Sequence, residues 1–211
     1  MSDHHSEFHA VGRVDEASAA SWERPSTIAK ESLEPIEWSR LIDWLPRMGS
    51  VLWIYRAQGD LMFPRARILS RGALLLDHPA LAAFAHCAGV EAQGHIGAQG
   101  PREWLALCDA RGDCLARMHL LPDTDYMAWD DMVATCAIPH STGLVTSRTT
   151  SRGFLDGAKH AVWYARVARF PALRLPCLQL LGLRPPHDLS KLGLDVAMQI
   201  ARDELAIMQA V

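Results

Sequence analysis

Apolar positions along this chain change their spacing several times, and each change marks an expected element. Residues 1 to about 30 show no apolar period and read as a flexible arm, ahead of a single domain over 31–211. Pro35 stands where helices start. Ile36, Leu41, Ile42 and Leu45 recur at helical spacing until Pro46 and Gly49 stop them. Val51-Leu52-Trp53-Ile54-Tyr55 is β-branched and aromatic and predicts a strand. Gln58-Gly59-Asp60 makes a turn, and Leu61 to Leu69 is expected to return as the next strand, with Pro64 marking an edge or bulge. Gly72 to Asp77 is a further short strand, and the Ala-rich Pro79 to Cys87 is a helix. Val90 to Gly100 is glycine-rich. It lacks a Gly-Lys-Ser/Thr sequence and a preceding strand–helix unit, so it reads as a strand with close backbone approach and not as a phosphate loop.

Two apolar runs, Glu103 to Asp109 and Cys114 to Leu121, flank Ala110-Arg111-Gly112-Asp113, which is turn chemistry, and predict a β-hairpin. Asp123 or Thr124 is expected to cap a helix containing Tyr126, Met127, Trp129, Met132 and Val133. Pro139 to Gly157 is polar and reads as a long loop, a place where function often resides. Ala158 to Phe170 reads as a helix. Pro171, Pro176, Pro185 and Pro186 interrupt the next stretch, and a last helix begins near Ser190. Its apolar stripe of Leu194, Ala197, Met198, Ala201, Leu205 and Met208 suits a core contact or a homodimer surface. The whole predicts an α+β fold with antiparallel sheet and packed helices: a sheet-rich core over 48–137 and a helical C-terminal part over 158–211.

The hairpin can be laid out by register. A two- or four-residue loop centred on Arg111-Gly112 pairs Asp109 with Cys114, Leu107 with Ala116 and Leu105 with Met118, a face suited to the core. The other face pairs Cys108 with Leu115, Ala106 with Arg117 and Trp104 with His119. An aromatic plate, a guanidinium and an imidazole suit a flat apolar ligand with anionic edges. Trp104 would stack on it, Arg117 would pair with a carboxylate, and His119 would bind a metal through a neutral nitrogen. A three-residue loop with a bulge would shift this register. The same residues also make an ordinary half-exposed sheet surface. His95, in the glycine-rich strand, is a second candidate for metal or ligand contact. His78, before Pro79, reads as turn chemistry.

The 211 residues balance 21 Lys+Arg against 24 Asp+Glu, which gives no electrostatic reason to seek nucleic acid or an acidic membrane. The five cysteines are irregularly spaced and form no Cys-x-x-Cys, which favours free thiols and a reducing compartment. The N-terminus is polar and the apolar runs are short, so a cytoplasmic protein without membrane insertion is expected. No Gly-x-Ser-x-Gly or His-Glu-x-x-His occurs, and nothing demands catalysis.

Gly100-Pro101-Arg102-Glu103-Trp104-Leu105-Ala106-Leu107-Cys108-Asp109-Ala110-Arg111-Gly112-Asp113, continuing through Met118-His119-Leu120-Leu121 to Trp129 and Val133, resembles the bacterial haemin-utilisation family of haemin-degrading and haem-carrier proteins. Asp109, Gly112, Arg117, Leu120, Trp129 and Val133 occupy the family's motif places, and Met48 to Tyr55 looks like its opening strand. The resemblance covers about Met48 to Ala137, one module. It implies an α+β fold with large antiparallel sheets, a cytoplasmic location, and haem as ligand for storage, transfer, delivery or breakdown. Small members commonly dimerise. The family's ligating His segment aligns with no His here, so His119 and His95 stand as candidates on geometry alone. The alternative is a regulatory or protein-interaction domain that keeps the fold without the ligand.

Overall fold

Strand β1 (Gly49–Arg56) forms where the β-branched and aromatic run was expected, and it is the axis of the fold. It pairs antiparallel with β6 (Cys114–Thr124) on one side and with β8 (Trp163–Ala168) on the other. The computed structural model describes residues 38–56, 66–69, 72–97, 100–141 and 162–209, all within the compact unit Leu33–Val211. Around β1 runs a seven-stranded sheet in the order β11-β8-β1-β6-β5-β4-β7. Here β4 is Gly89–Gly97, β5 Gly100–Cys108, β7 His140–Ser141 and β11 Ile207–Met208. A four-stranded sheet, β2-β3-β10-β9, comprises β2 (Ala66–Leu69), β3 (Gly72–Leu76), β9 (Ala172–Leu175) and β10 (Leu178–Leu181). Pairing is mostly antiparallel, with parallel contacts at β11–β8, β4–β7 and β3–β10. The described helices are α1 (Trp38–Trp44), α2 (Ala82–His86), α3 (Tyr126–Thr135) and α4 (Lys191–Asp203), so the fold is α+β.

The large sheet is buried on both faces. One face carries Val51, Trp53, Leu105, Leu107, Ala116, Met118 and Leu120 into the main core with α1, α2, α3 and the small sheet. Trp53 is its centre. The indole stacks on Phe84 at 5.4 Å and meets Phe170 edge-on at 5.4 Å. Its Nε1 donates to the Ala80 carbonyl at 2.8 Å, so its only polar atom is satisfied. The opposite face carries Leu52, Ile54, Leu121, Trp163, Ala165 and Val167, covered by Ala197, Ile200 and Ala201 of α4.

Several expectations are corrected. The helix expected over Ala158 to Phe170 is corrected in its described residues, 162–170: they contain β8, in which Trp163, Ala165 and Val167 alternate inward. The period in β8 is two, and it completes the second side of β1. Of the strand expected over Leu61 to Leu69, only Ala66–Leu69 is described, and it pairs with β3 in the small sheet, not with β1. The proline-interrupted stretch after Pro171 forms β9 and β10. Asp125, not Asp123 or Thr124, caps α3, accepting from the Ala128 N–H at 3.0 Å. Thr124 Oγ1 instead accepts from Leu121 N and donates to the Ser50 carbonyl. Asp123 accepts from Ser190 N and Oγ, tying β6 to the start of α4. Ser190 is the α4 cap, as its position suggested, but the helix ends at Asp203 and buries Gly193, Ala197, Ile200 and Ala201. Leu205 lies beyond it and is exposed. The 1–30 arm, the Gln58-Gly59-Asp60 turn and residues 142–157 of the long loop lie outside the described residues.

Candidate functional site

The site is built by strand arithmetic on the face beneath α4. Trp104 faces His119 across the β5–β6 hairpin, Ala106 faces Arg117, and on the next strand Gln93 faces Trp104 and His95 faces Arg102. On the far side Leu52 faces His119 and Ile54 faces Arg117. The pairings of Trp104 with His119 and Ala106 with Arg117 read from sequence therefore hold, although the loop differs. The hairpin closes through a three-residue loop, and a bulge between Leu107 and Cys108 takes up the extra residue. Cys108 consequently pairs with Cys114, not Leu115, and the expected Asp109–Cys114 pairing is absent.

Trp104 and His119 have ring centroids 5.5 Å apart at 32°, and His95 meets Trp104 edge-on at 5.7 Å. The Arg117 guanidinium lies 6.0 Å from the Trp104 ring. All four candidate residues are thus brought together. The expectation of a half-exposed face is corrected: Trp104, Arg117 and His119 are buried. Glu204, the residue closing that helix, pairs with Arg117 Nη1 at 2.7 Å and stands 3.9 Å from His119 Nε2. Asp203 pairs with Arg102 at 2.6 Å. Two carboxylates at a helix C-terminus oppose the helix dipole, and the guanidiniums beneath offset that repulsion.

His119 is unusual. Its side chain is 3% exposed, and among the described residues neither Nδ1 nor Nε2 has a hydrogen-bond partner. Burial, reinforced by Arg117, Arg102 and His95, pushes the imidazole well below its ordinary value. The carboxylate at 3.9 Å does not outweigh these effects, so the ring is neutral and offers a lone pair. Among the described residues no group of three or more His, Cys, Asp or Glu is arranged to hold a metal ion. The donor set fits a metal that brings most of its own ligands, because the only nitrogen donors of this face free to bind it among the described residues are imidazoles, the buried His119 and the less buried His95. The Trp104 Nε1–H donates to Gln93 Oε1 at 2.9 Å, and Gln93 Nε2 donates to Glu91 at 2.8 Å, which fixes the indole plane. His78 has the turn role read from sequence: its Nδ1 accepts from the Ala80 N–H at 3.0 Å.

Gln93, Arg102, Asp203 and Glu204 escaped the sequence reading. Carrying the register on from the Gly97–Gly100 pairing would have found Gln93 and Arg102. No local signal points to Glu204, which arrives from 87 residues beyond Arg117.

No protein-family model matches the chain, and no curated protein matches it significantly. No described helix is long and apolar enough to cross a membrane. Among solved structures, the haem-degrading enzyme ChuS of Escherichia coli O157:H7 aligns at 16% identity over 56% of this chain and 40% of its own, with a TM-score of 0.34. A second structure of ChuS, described as an E. coli haem oxygenase, gives 18%, 59%, 42% and 0.34. Holo-PhuS, a haem-binding protein from Pseudomonas aeruginosa, gives 14%, 57%, 41% and 0.32. The chain spans about two fifths of the length of each of these structures.

Proposed function

We propose that this chain binds haem on the sheet face beneath the end of α4, with His119 as iron ligand, Arg117 on a propionate, and Trp104 and His95 against the ring. The observation that carries the reading is His119: a buried, neutral imidazole with two unbonded nitrogens, beside a guanidinium and an indole. An unsatisfied buried polar group costs about 1–3 kcal/mol, and a ligand that uses it recovers that cost. Haem is the flat ligand with carboxylate edges that the sequence resemblance implies, and storage, transfer or delivery needs no further catalytic group.

Glu204 already holds Arg117, so a propionate must displace it and the end of α4 must lift. That contact also favours a second reading, in which the face is a closed structural core and the chain is a ligand-free regulatory or interaction domain. A haemin titration followed by absorbance separates the two. Haem ligation gives a saturable Soret shift at one equivalent, lost in His119→Ala and weakened in Arg117→Ala. The absence of any shift in the intact protein supports the closed-core reading and sinks the haem one.

A further inference from the structure

The bulge that preserves the Trp104–His119 register has a chemical effect at the other end of the hairpin. Asp109 N donates to the Asp113 carbonyl at 2.9 Å and Gly112 N donates to the Asp109 carbonyl at 3.0 Å. The Asp109 carboxylate takes the Arg111 and Asp113 N–H groups at 2.8 and 2.9 Å. Gly112, at φ +87°, supplies the left-handed step that closes such a loop. Since Asp109 and Asp113 are the closing hydrogen-bonded rung, the next rung, Cys108 with Cys114, is a non-hydrogen-bonded pair. At such a rung the Cα atoms are about 4.5 Å apart and the side chains approach most closely. A disulfide spans about 4.4–6.8 Å between Cα atoms, so this rung can accept one without moving the strands.

Both thiols project to the α4 side. The bulge leaves Leu115 against the main core and turns Cys114 to the second core beneath α4. Cys108 lies within electrostatic range of Cys114, Cys87, Glu91 and Arg117, and Cys114 is in hydrogen-bonding contact with Arg117. Neither is in a disulfide and both are partly exposed, and the Cys114 Sγ donates to the Ala116 carbonyl at 3.5 Å. Cys87, the neighbouring thiol, is buried and engaged with the Gly89 carbonyl at 2.9 Å.

The geometry points to Cys108 and Cys114 as a reversible dithiol–disulfide pair, oxidised by a small-molecule disulfide through two exchange steps. One protein thiolate attacks the disulfide RSSR, forming a mixed disulfide and releasing RS⁻, which takes up the proton that the thiol gave. The second protein thiol, as thiolate, then attacks the protein sulfur of that mixed disulfide and expels the second RS⁻, protonated in the same way. Two protein thiols are oxidised, one RSSR is reduced to two RSH, and two electrons pass outward. The reaction places a redox event three residues from Arg117 and removes a thiol that touches its guanidinium. It does not depend on haem binding.

Burial pushes the Cys108 thiol up to about 12 and also raises Cys114, so the pair exchanges slowly at neutral pH. The rate should rise about tenfold per pH unit between about 7 and 9, because the thiolate fraction does. The test is incubation of the full native chain with oxidised glutathione at about pH 8.5, an acid quench and tryptic mapping. Cleavage after Arg102, Arg111 and Arg117 separates the two cysteines, so the disulfide appears as peptide 103–111 linked to peptide 112–117 and vanishes on reduction. The C87S variant should give the same linked pair, and C114S should leave only a glutathione adduct on Cys108. A link through Cys87, or adducts on Cys108 and Cys114 of the wild type without the crosslink, would overturn the assignment. The wild-type map decides the matter even where a variant fails to fold.

Discussion

Glu204→Ala probes the contact that closes the candidate site. In the folded protein Arg117 is 7% exposed and Glu204 21% exposed, with the charged atoms 2.7 Å apart. Exposed pairs contribute about 0–1 kcal/mol, whereas removing one partner of a fully buried pair costs about 3–5 kcal/mol. The burial of Arg117 puts this pair nearer the second limit, and the water reaching Glu204 discounts it, so the expected loss is about 2–3 kcal/mol. For a domain of this size each kcal/mol lowers Tm by about 2–4 °C, which gives a drop on the order of 5–10 °C. Urea unfolding followed by tryptophan fluorescence reads the loss directly. Added salt should change it little, because a buried pair is weakly screened. In a double-mutant cycle Arg117→Met should recover part of the loss, since the buried guanidinium that has lost its carboxylate is gone. The same Glu204→Ala variant should bind haemin about tenfold more tightly, as the competing carboxylate is removed. A stability change below about 0.5 kcal/mol, or full additivity with Arg117→Met, would show that Glu204 does not hold this guanidinium in solution.

His119 is neutral in the folded chain but takes a proton near pH 6.5 when unfolded, so its stabilising effect is complete above that pH and is lost as pH falls below it. Unfolding free energies measured between about pH 5 and 6.5 should fall by up to about 1.4 kcal/mol per pH unit from this group, and His119→Met should remove that part of the slope while His78, also lowered by burial, keeps its own. Gly72→Ala should cost about 2–4 kcal/mol in thermal or urea unfolding, because Gly72 sits at φ +134° and a Cβ there would collide with the Cys177 carbonyl. Asp125→Ala should cost about 1 kcal/mol by losing the α3 cap, read in the same urea assay. Asp123→Ala should instead loosen the start of α4, seen as faster hydrogen exchange at Gly193 and Leu194.

What could be read from the sequence was set by distance along the chain. The Trp104–His119 and Ala106–Arg117 pairings are local arithmetic across one tight loop, and they hold because the three-residue loop and the bulge cancel. The loop type was not legible, since Asp109 and Gly112 suit several turns. Strand β8 and the parallel β3–β10 pairing depend on partners about a hundred residues away and leave only a weak alternation in the sequence. The closed state of the site was nevertheless written in β1. Val51-Leu52-Trp53-Ile54 is apolar at every position, which is the pattern of a strand buried on both faces. Leu52 and Ile54 stand beside His119 and Arg117 on one face. Any cover that keeps Leu52 and Ile54 dry must also extend over the imidazole and guanidinium next to them. The apolar run in β1 therefore required a cover over the mixed face of the hairpin, and α4 meets that requirement with Ala197, Ile200 and Ala201 against the apolar half and Glu204 against the charged half. The ligand proposed for this face would have to replace both kinds of contact, matching the apolar stripe of α4 and the carboxylate at its end.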